Sequence, residues 1–224
     1  MKNKEFSIKN YLDMYKARGI RLVIEYFFYN HLFDIINKTD THSWSNNNSY
    51  DPDLGVYMAS WNKDVLAAMK LLENKNQRFV NSADFIDIGS GKGKVLLFWR
   101  KKYGEKKKII GIEYNKDLIK ICKLNFRKLK FKYPQLVSKD ARKVALKKEN
   151  NKKIFYLYNP FNLETLRIFF LKNSFKYSAI IYFNPLHSNE LLNLNYECIY
   201  TKSSYRNGSS FKVYISRDLK KILK

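Results

Sequence analysis

The sequence predicts an α/β fold built on a mostly parallel sheet, and three observations carry that expectation. Over Asp84-Phe-Ile-Asp-Ile-Gly-Ser-Gly-Lys-Gly-Lys-Val-Leu-Leu-Phe-Trp99 an apolar run breaks into closely spaced glycines and resumes with helical character, which reads as strand, tight turn and helix start. Short β-branched and aromatic runs recur between helical stretches at 108–113, 153–158 and 177–183, the alternation that builds parallel sheets. The chain finishes with two strand-like runs, 196–202 and 211–216, around Arg206-Asn-Gly-Ser-Ser210, a hairpin signal and so an antiparallel finish.

Taken in order, residues 1 to about 38 read as helix, broken near Gly19. Ile20, Val23, Ile24, Phe27, Phe28, Leu32, Ile35 and Ile36 draw one apolar face, expected to pack on the domain as a lid or flank. A membrane-surface helix is the alternative. Polar residues from Lys38 to Tyr50 read as a loop. Asp51-Pro52-Asp53-Leu54-Gly55 starts a turn, and a helix is expected from about Lys63 to Asn74. Tyr57 and Trp61 just before it are candidate lid or acceptor-site residues, with ordinary packing as the alternative. After the glycine turn come a helix to Tyr103, a strand ending at Glu113, and a helix from the N-cap Asn115 to Leu129, stopped by Pro134. A short strand near Leu136–Ser138 leads to Asp140, and the fourth strand ends in Asn159-Pro-Phe-Asn162. The fifth ends in a second Asn-Pro pair, Asn184-Pro185, followed by His187, a candidate general base or else a surface histidine. The organisation expected is a helical extension and loop over 1–50 and an α/β domain over 51–224.

Composition bounds the partners. The chain has 224 residues, 45% of them hydrophobic, enough for a packed core, and a formal charge of +23. A genome bias towards lysine and asparagine would normally add glutamate as well, so a basic surface suited to RNA, DNA or anionic lipid is expected. A solvated basic surface with no dedicated partner is the alternative. Cys122 and Cys198 lack metal-ligand spacing, and no secretory signal opens the chain, which points to the cytoplasm. Arg21, Glu25, His31 and Asp34 interrupt the longest apolar stretch, so no membrane span is expected.

The glycine turn presents backbone N–H groups at a helix start, a setting for anionic or polar ligands. A Walker loop needs Lys followed by Ser or Thr, and Gly93 and Val95 follow Lys92 and Lys94. The dinucleotide pattern needs a glycine where Lys94 or Leu96 stands, which disfavours a nicotinamide or nucleotide-sugar enzyme. Glu113, about twenty residues on and ending a strand, is placed to accept from a ribose diol.

Asp87-x-Gly89-Ser90-Gly91-x-Gly93 resembles motif I of class I S-adenosylmethionine-dependent methyltransferases. Together with Gly-Ile-Glu113 and Tyr-Asn-Pro-Phe161, in that order, it is similar to a little-characterised bacterial group of that superfamily. The Gly-Ser-Gly-x-Gly form also resembles some protein-lysine methyltransferases. The resemblance covers about residues 50–217. It implies a Rossmann-like, seven-stranded, mostly parallel sheet with an antiparallel last strand, and S-adenosylmethionine as cofactor. Asp87, Gly89, Ser90, Gly91 and Gly93 would hold the methionine moiety, Glu113 with Tyr114 the ribose, and Asp140 and Ala141 the adenine. Asn159, Pro160 and Phe161 resemble the Asn-Pro-Pro-aromatic motif of amino-methyltransferases, with Phe161 in place of the second proline and Asn162 in place of the aromatic. Asn159 would bind a target NH2 or else touch only the cofactor. The acceptor is left open, with nucleic acid or a protein side chain favoured by charge. A non-catalytic RNA-binding protein of the same fold is the alternative.

Overall fold

The computed structural model describes residues 8–42, 59–158, 161–203 and 210–223. Its centre is a sheet of β1 (Asp84–Ile88), β2 (Ile109–Glu113), β3 (Gln135–Ser138), β4 (Lys152–Tyr158), β5 (Tyr177–Phe183), β6 (Tyr196–Lys202) and β7 (Phe211–Ser216). The strand order is β3-β2-β1-β4-β5-β7-β6. Pairings from β3 across to β5 are parallel, and β7 runs antiparallel to both β5 and β6. Every residue of β1 is buried, as suits a central strand covered on both faces. The chain leaves β1 towards β2 and β3, then returns to β4 on its other side. That reversal opens a crevice at the carboxyl ends of β1 and β4, where open α/β sheets bind ligands.

Helices α4 (Asn62–Ser82), α5 (Lys94–Tyr103), α6 (Lys116–Lys128) and α9 (Arg217–Ile222) supply the core on one face. On the other lie α7 (Leu163–Lys172), α8 (Ser188–Asn193) and a 3₁₀ turn, Ala141–Lys143. Asn115 caps α6 by accepting from the Asp117 and Leu118 N–H groups at 2.8 and 3.3 Å, as its place in the sequence predicts. Helix α4 runs past the expected end near Asn74. Its backbone breaks at Asn76 (φ −161°), whose side chain accepts from the Phe79 N–H at 2.8 Å and caps a second helical stretch. The hairpin turn expected at 206–210 lies almost wholly outside the described residues, as do Asp51, Tyr57 and the rest of 43–58.

Ahead of α4, the N-terminal arm consists of α1 (Ile8–Arg18), α2 (Ile20–Tyr26), a π turn (Phe27–His31) and α3 (Leu32–Asn37). Gly19 (φ 82°) separates the first two, as expected. The buried face is only partly the expected one, with Val23, Phe27 and Leu32 half-buried. Ile20, Ile24, Phe28, Ile35 and Ile36 point outwards, whereas Leu22, Asn30, His31, Asp34 and Thr41 are buried. Beside the apolar Leu22, the docked side brings polar groups to the buried lysines Lys92 and Lys94 of the domain.

Candidate active site

The carboxyl edge of β1 delivers Asp87, and the turn beyond it needs glycine. Gly89, Gly91 and Gly93 take φ values of 74°, 51° and 81°, a region that side-chain-bearing residues rarely enter. A Cβ on Gly93 would stand 2.4 Å from Cys122 Sγ, so α6 also closes on the turn. The N–H groups of Gly89 and Ser90 both donate to the Ile112 carbonyl, at 2.9 and 3.0 Å, which hooks the turn onto β2. Ser90 Oγ lies beneath it, 2.9 Å from where a Cβ on Gly111 would be, and is buried with no hydrogen-bond partner among the described residues.

Glu113 ends β2 facing the turn. Its Oε2 accepts from the Gly91 N–H at 2.8 Å, and its Oε1 accepts from the Asn115 N–H at 2.8 Å. Burial raises its pKa, and the backbone donors of Asn115, Gly91 and Tyr114 pull against that rise. Asp87, 2% exposed, is pushed well above the ordinary carboxylate range by burial and then by the charge of Glu113. A buried carboxylate is costly unless it is paired or hydrogen-bonded. Two carboxylates beside a glycine cradle therefore fit a ligand that brings hydroxyl groups and positive charge, as S-adenosylmethionine does.

The remaining predicted residues fall around this pair in different ways. Asp140 caps the 3₁₀ turn, and Arg142 holds its carboxyl below the ordinary range through hydrogen bonds as short as 2.7 Å. Ala141 is buried beside it, whereas the Tyr114 side chain is exposed. Asn159 and Pro160 lie outside the described residues. Phe161 is half-buried against the core of the α7 face, and Asn162 caps α7 by accepting from the Thr165 N–H at 2.9 Å. Helix capping thus accounts for the amide at the position where the related motif has an aromatic. Trp61 stands edge-on to Tyr26 at 5.5 Å, and Tyr158 stacks on Phe183 at 6.0 Å. His187 precedes α8, its backbone N–H 3.4 Å from the Tyr182 hydroxyl. Cys122 has its pKa raised to about 12 by burial and nearby acids, which leaves it a packing thiol.

Sequence reasoning missed the groups that the arm brings to the turn. Lys92, fully buried, pairs with Asp40, its Nζ 3.0 Å from both oxygens. Lys94 donates to Asn30, and burial lowers its pKa to about 7. These contacts join residues 52 and 64 positions apart, and no local spacing signals them.

Comparison with known proteins bears on this geometry. Residues 79–198 match the family described as "Methyltransferase domain". A probable cobalt-precorrin-6B C(15)-methyltransferase (decarboxylating) of Sulfurisphaera tokodaii is 34% identical over 73 residues, 33% of this chain and 38% of that protein. The match therefore spans well under half of that relative's length. Among solved structures, magnesium protoporphyrin IX methyltransferase from Synechocystis with bound S-adenosylmethionine aligns at a TM-score of 0.53 and 10% identity, over 87% of this chain and 95% of that one. A SAM-dependent methyltransferase from Aquifex aeolicus aligns at 0.50 and 14%, over 69% and 97%. Identities this low speak for the fold alone. With the family match covering more than half of the sequence and holding the glycine turn and strands β1 to β5, the chain belongs to the methyltransferase-domain family and has the class I methyltransferase fold.

Proposed function

We propose that this protein is an S-adenosylmethionine-dependent methyltransferase. One observation carries the reading: inside the family-matched segment, two buried carboxylates that feel each other's charge, Asp87 and Glu113, stand beside a turn of left-handed glycines. When bound, the cofactor supplies an electrophilic sulfonium methyl. The chain's own groups bind and orient. Glu113 accepts from the ribose hydroxyls, and Asp87 offsets the positive charge of the methionine end. Gly91 and its neighbours let the backbone come close, and Asp140 with Ala141 borders the adenine. Sulfonium chemistry needs little covalent help, so alignment of the acceptor is the main task of the protein.

For the acceptor, the formal charge of +23 supports a nucleic acid or a protein side chain over a small metabolite. The domain reading of an arm over 1–50 and a methyltransferase domain over 51–224 belongs to the same proposal. Calorimetry with S-adenosylhomocysteine tests the donor reading, and the absence of binding would end it. Labelled cofactor incubated with fractionated lysate then identifies which class takes up the methyl group. Label entering only small molecules would overturn the macromolecular acceptor, as would RNA affinity insensitive to salt for the nucleic-acid branch.

A further inference from the structure

The arm meets the glycine turn through buried charge. Among the described residues only Lys92, Lys94 and Lys153 are buried lysines, and two of the three face the arm. The Lys92 Nζ lies 3.0 Å from each Asp40 oxygen. Asn125 of α6 ties the same two residues by their backbones. It accepts from the Asp40 N–H at 2.9 Å and donates to the carbonyls of Asp40 and Lys92 at 2.8 and 3.1 Å. Two residues along, the Lys94 ammonium donates to Asn30 Oδ1. Asp34 shapes the loop that carries Asp40, accepting from Thr39 Oγ1 at 2.5 Å, from the Thr41 N–H and Oγ1 at 2.8 and 2.9 Å, and from the His42 N–H at 3.0 Å. The His42 ring Nδ1 also meets this carboxylate.

A buried ammonium is tolerated when it is paired and hydrogen-bonded, and the pairing restricts whatever carries it. Lys92 stands between Gly91 and Gly93, so its attachment removes freedom that the glycines would otherwise leave. The Gly91 N–H is the group that binds Glu113, at 2.8 Å. Fixing Lys92 therefore fixes the direction of that N–H and the resting place of the carboxylate opposite it.

We propose that Asp40 and Asn30 are positioning residues for the methyl-donor site. Acting through Lys92 and Lys94, they hold the glycine turn in the shape that presents Gly91 to Glu113, and residues 30–42 become part of the site. This rests on the donor reading given above. The test is S-adenosylhomocysteine affinity by calorimetry on the full chain, with melting temperature measured on the same samples. Asp40→Asn is expected to bind at least tenfold more weakly, and Asp40→Glu to recover most of that loss. Asp40→Asn combined with Lys92→Met removes the buried charge together with its partner. The double variant is expected to regain melting temperature without regaining affinity. Variants that all bind within twofold of the wild type overturn the positioning role, as does affinity that simply tracks melting temperature. A wild type that does not bind overturns the donor reading and this inference together, which separates the two failures.

Discussion

Lys94 shows how much a single residue can be changed by its surroundings. Burial lowers its pKa from 10.5 to about 7, with Asp34 working in the opposite direction. Between those two values the unfolded chain holds a proton that the folded chain has released. The stability contribution of Lys94 therefore rises with pH across that window. Lys94→Met is expected to remove this rise, seen as a smaller gain in denaturation midpoint from pH 7 to pH 10 than in the wild type. An unchanged difference would show that Lys94 keeps its ordinary pKa. Asp34 has the opposite sense. Burial alone would raise it, but hydrogen bonds from His42, Thr39 and Thr41 outweigh burial and bring it to about 2. Its contribution is present above the unfolded value and is lost as pH falls towards 2. At this scale Asp87 and Glu113 could be read from the sequence, because each sits at a fixed offset from glycines. Asp40 and Asn30 could not, because their partners lie far along the chain.

At the scale of one element, the glycine turn is constrained twice, by backbone conformation and by α6. Gly93→Ala would put a side chain at φ 81° and a Cβ 2.4 Å from Cys122 Sγ. The left-handed conformation alone costs roughly 1–2 kcal/mol, and the overlap adds to it. Cys122→Ala in the Gly93→Ala background is expected to recover the overlap part only. Chemical denaturation of the two variants measures the split, and full recovery would show that the conformation is not strained. The cap of α6 was as legible as the glycines: Asn115 stands just before a helical run and accepts from the Asp117 N–H at 2.8 Å. The cap of α7 was not, because Asn162, which accepts from the Thr165 N–H at 2.9 Å, stands where a related motif has its aromatic. Asn76 was hidden within a polar stretch, where a helix that ends and restarts looks like one that only ends.

Across the whole molecule, the mostly parallel sheet followed from alternation and its antiparallel finish from the terminal hairpin, both of which are local patterns along the chain. The orientation of the arm did not follow, because periodicity records which side is apolar and says nothing of what another element offers. The domain offers Lys92 and Lys94, buried polar side chains that need partners, and the arm meets them with Asp40 and Asn30 while Ile20, Ile24 and Phe28 stay outside. The π turn at Phe27–His31 makes that choice geometrically available. Tyr26 and His31 are five residues apart, yet their rings meet at 5.3 Å, whereas at 3.6 residues per turn such positions point well away from each other. The turn holds one residue more than an α-helix would, and that surplus sets the rotation of everything before it against everything after it. Helix length here is consequently a setting of angle. Inserting one further residue after the exposed Phe28 should exceed what the π turn absorbs and turn one flank by about 100°. His31 would part from Tyr26 and from the Tyr11 hydroxyl, now 2.6 Å away. Phe28→Ala keeps the count and should leave S-adenosylhomocysteine affinity unchanged while the insertion weakens it; equal affinities would show that the angle does not matter.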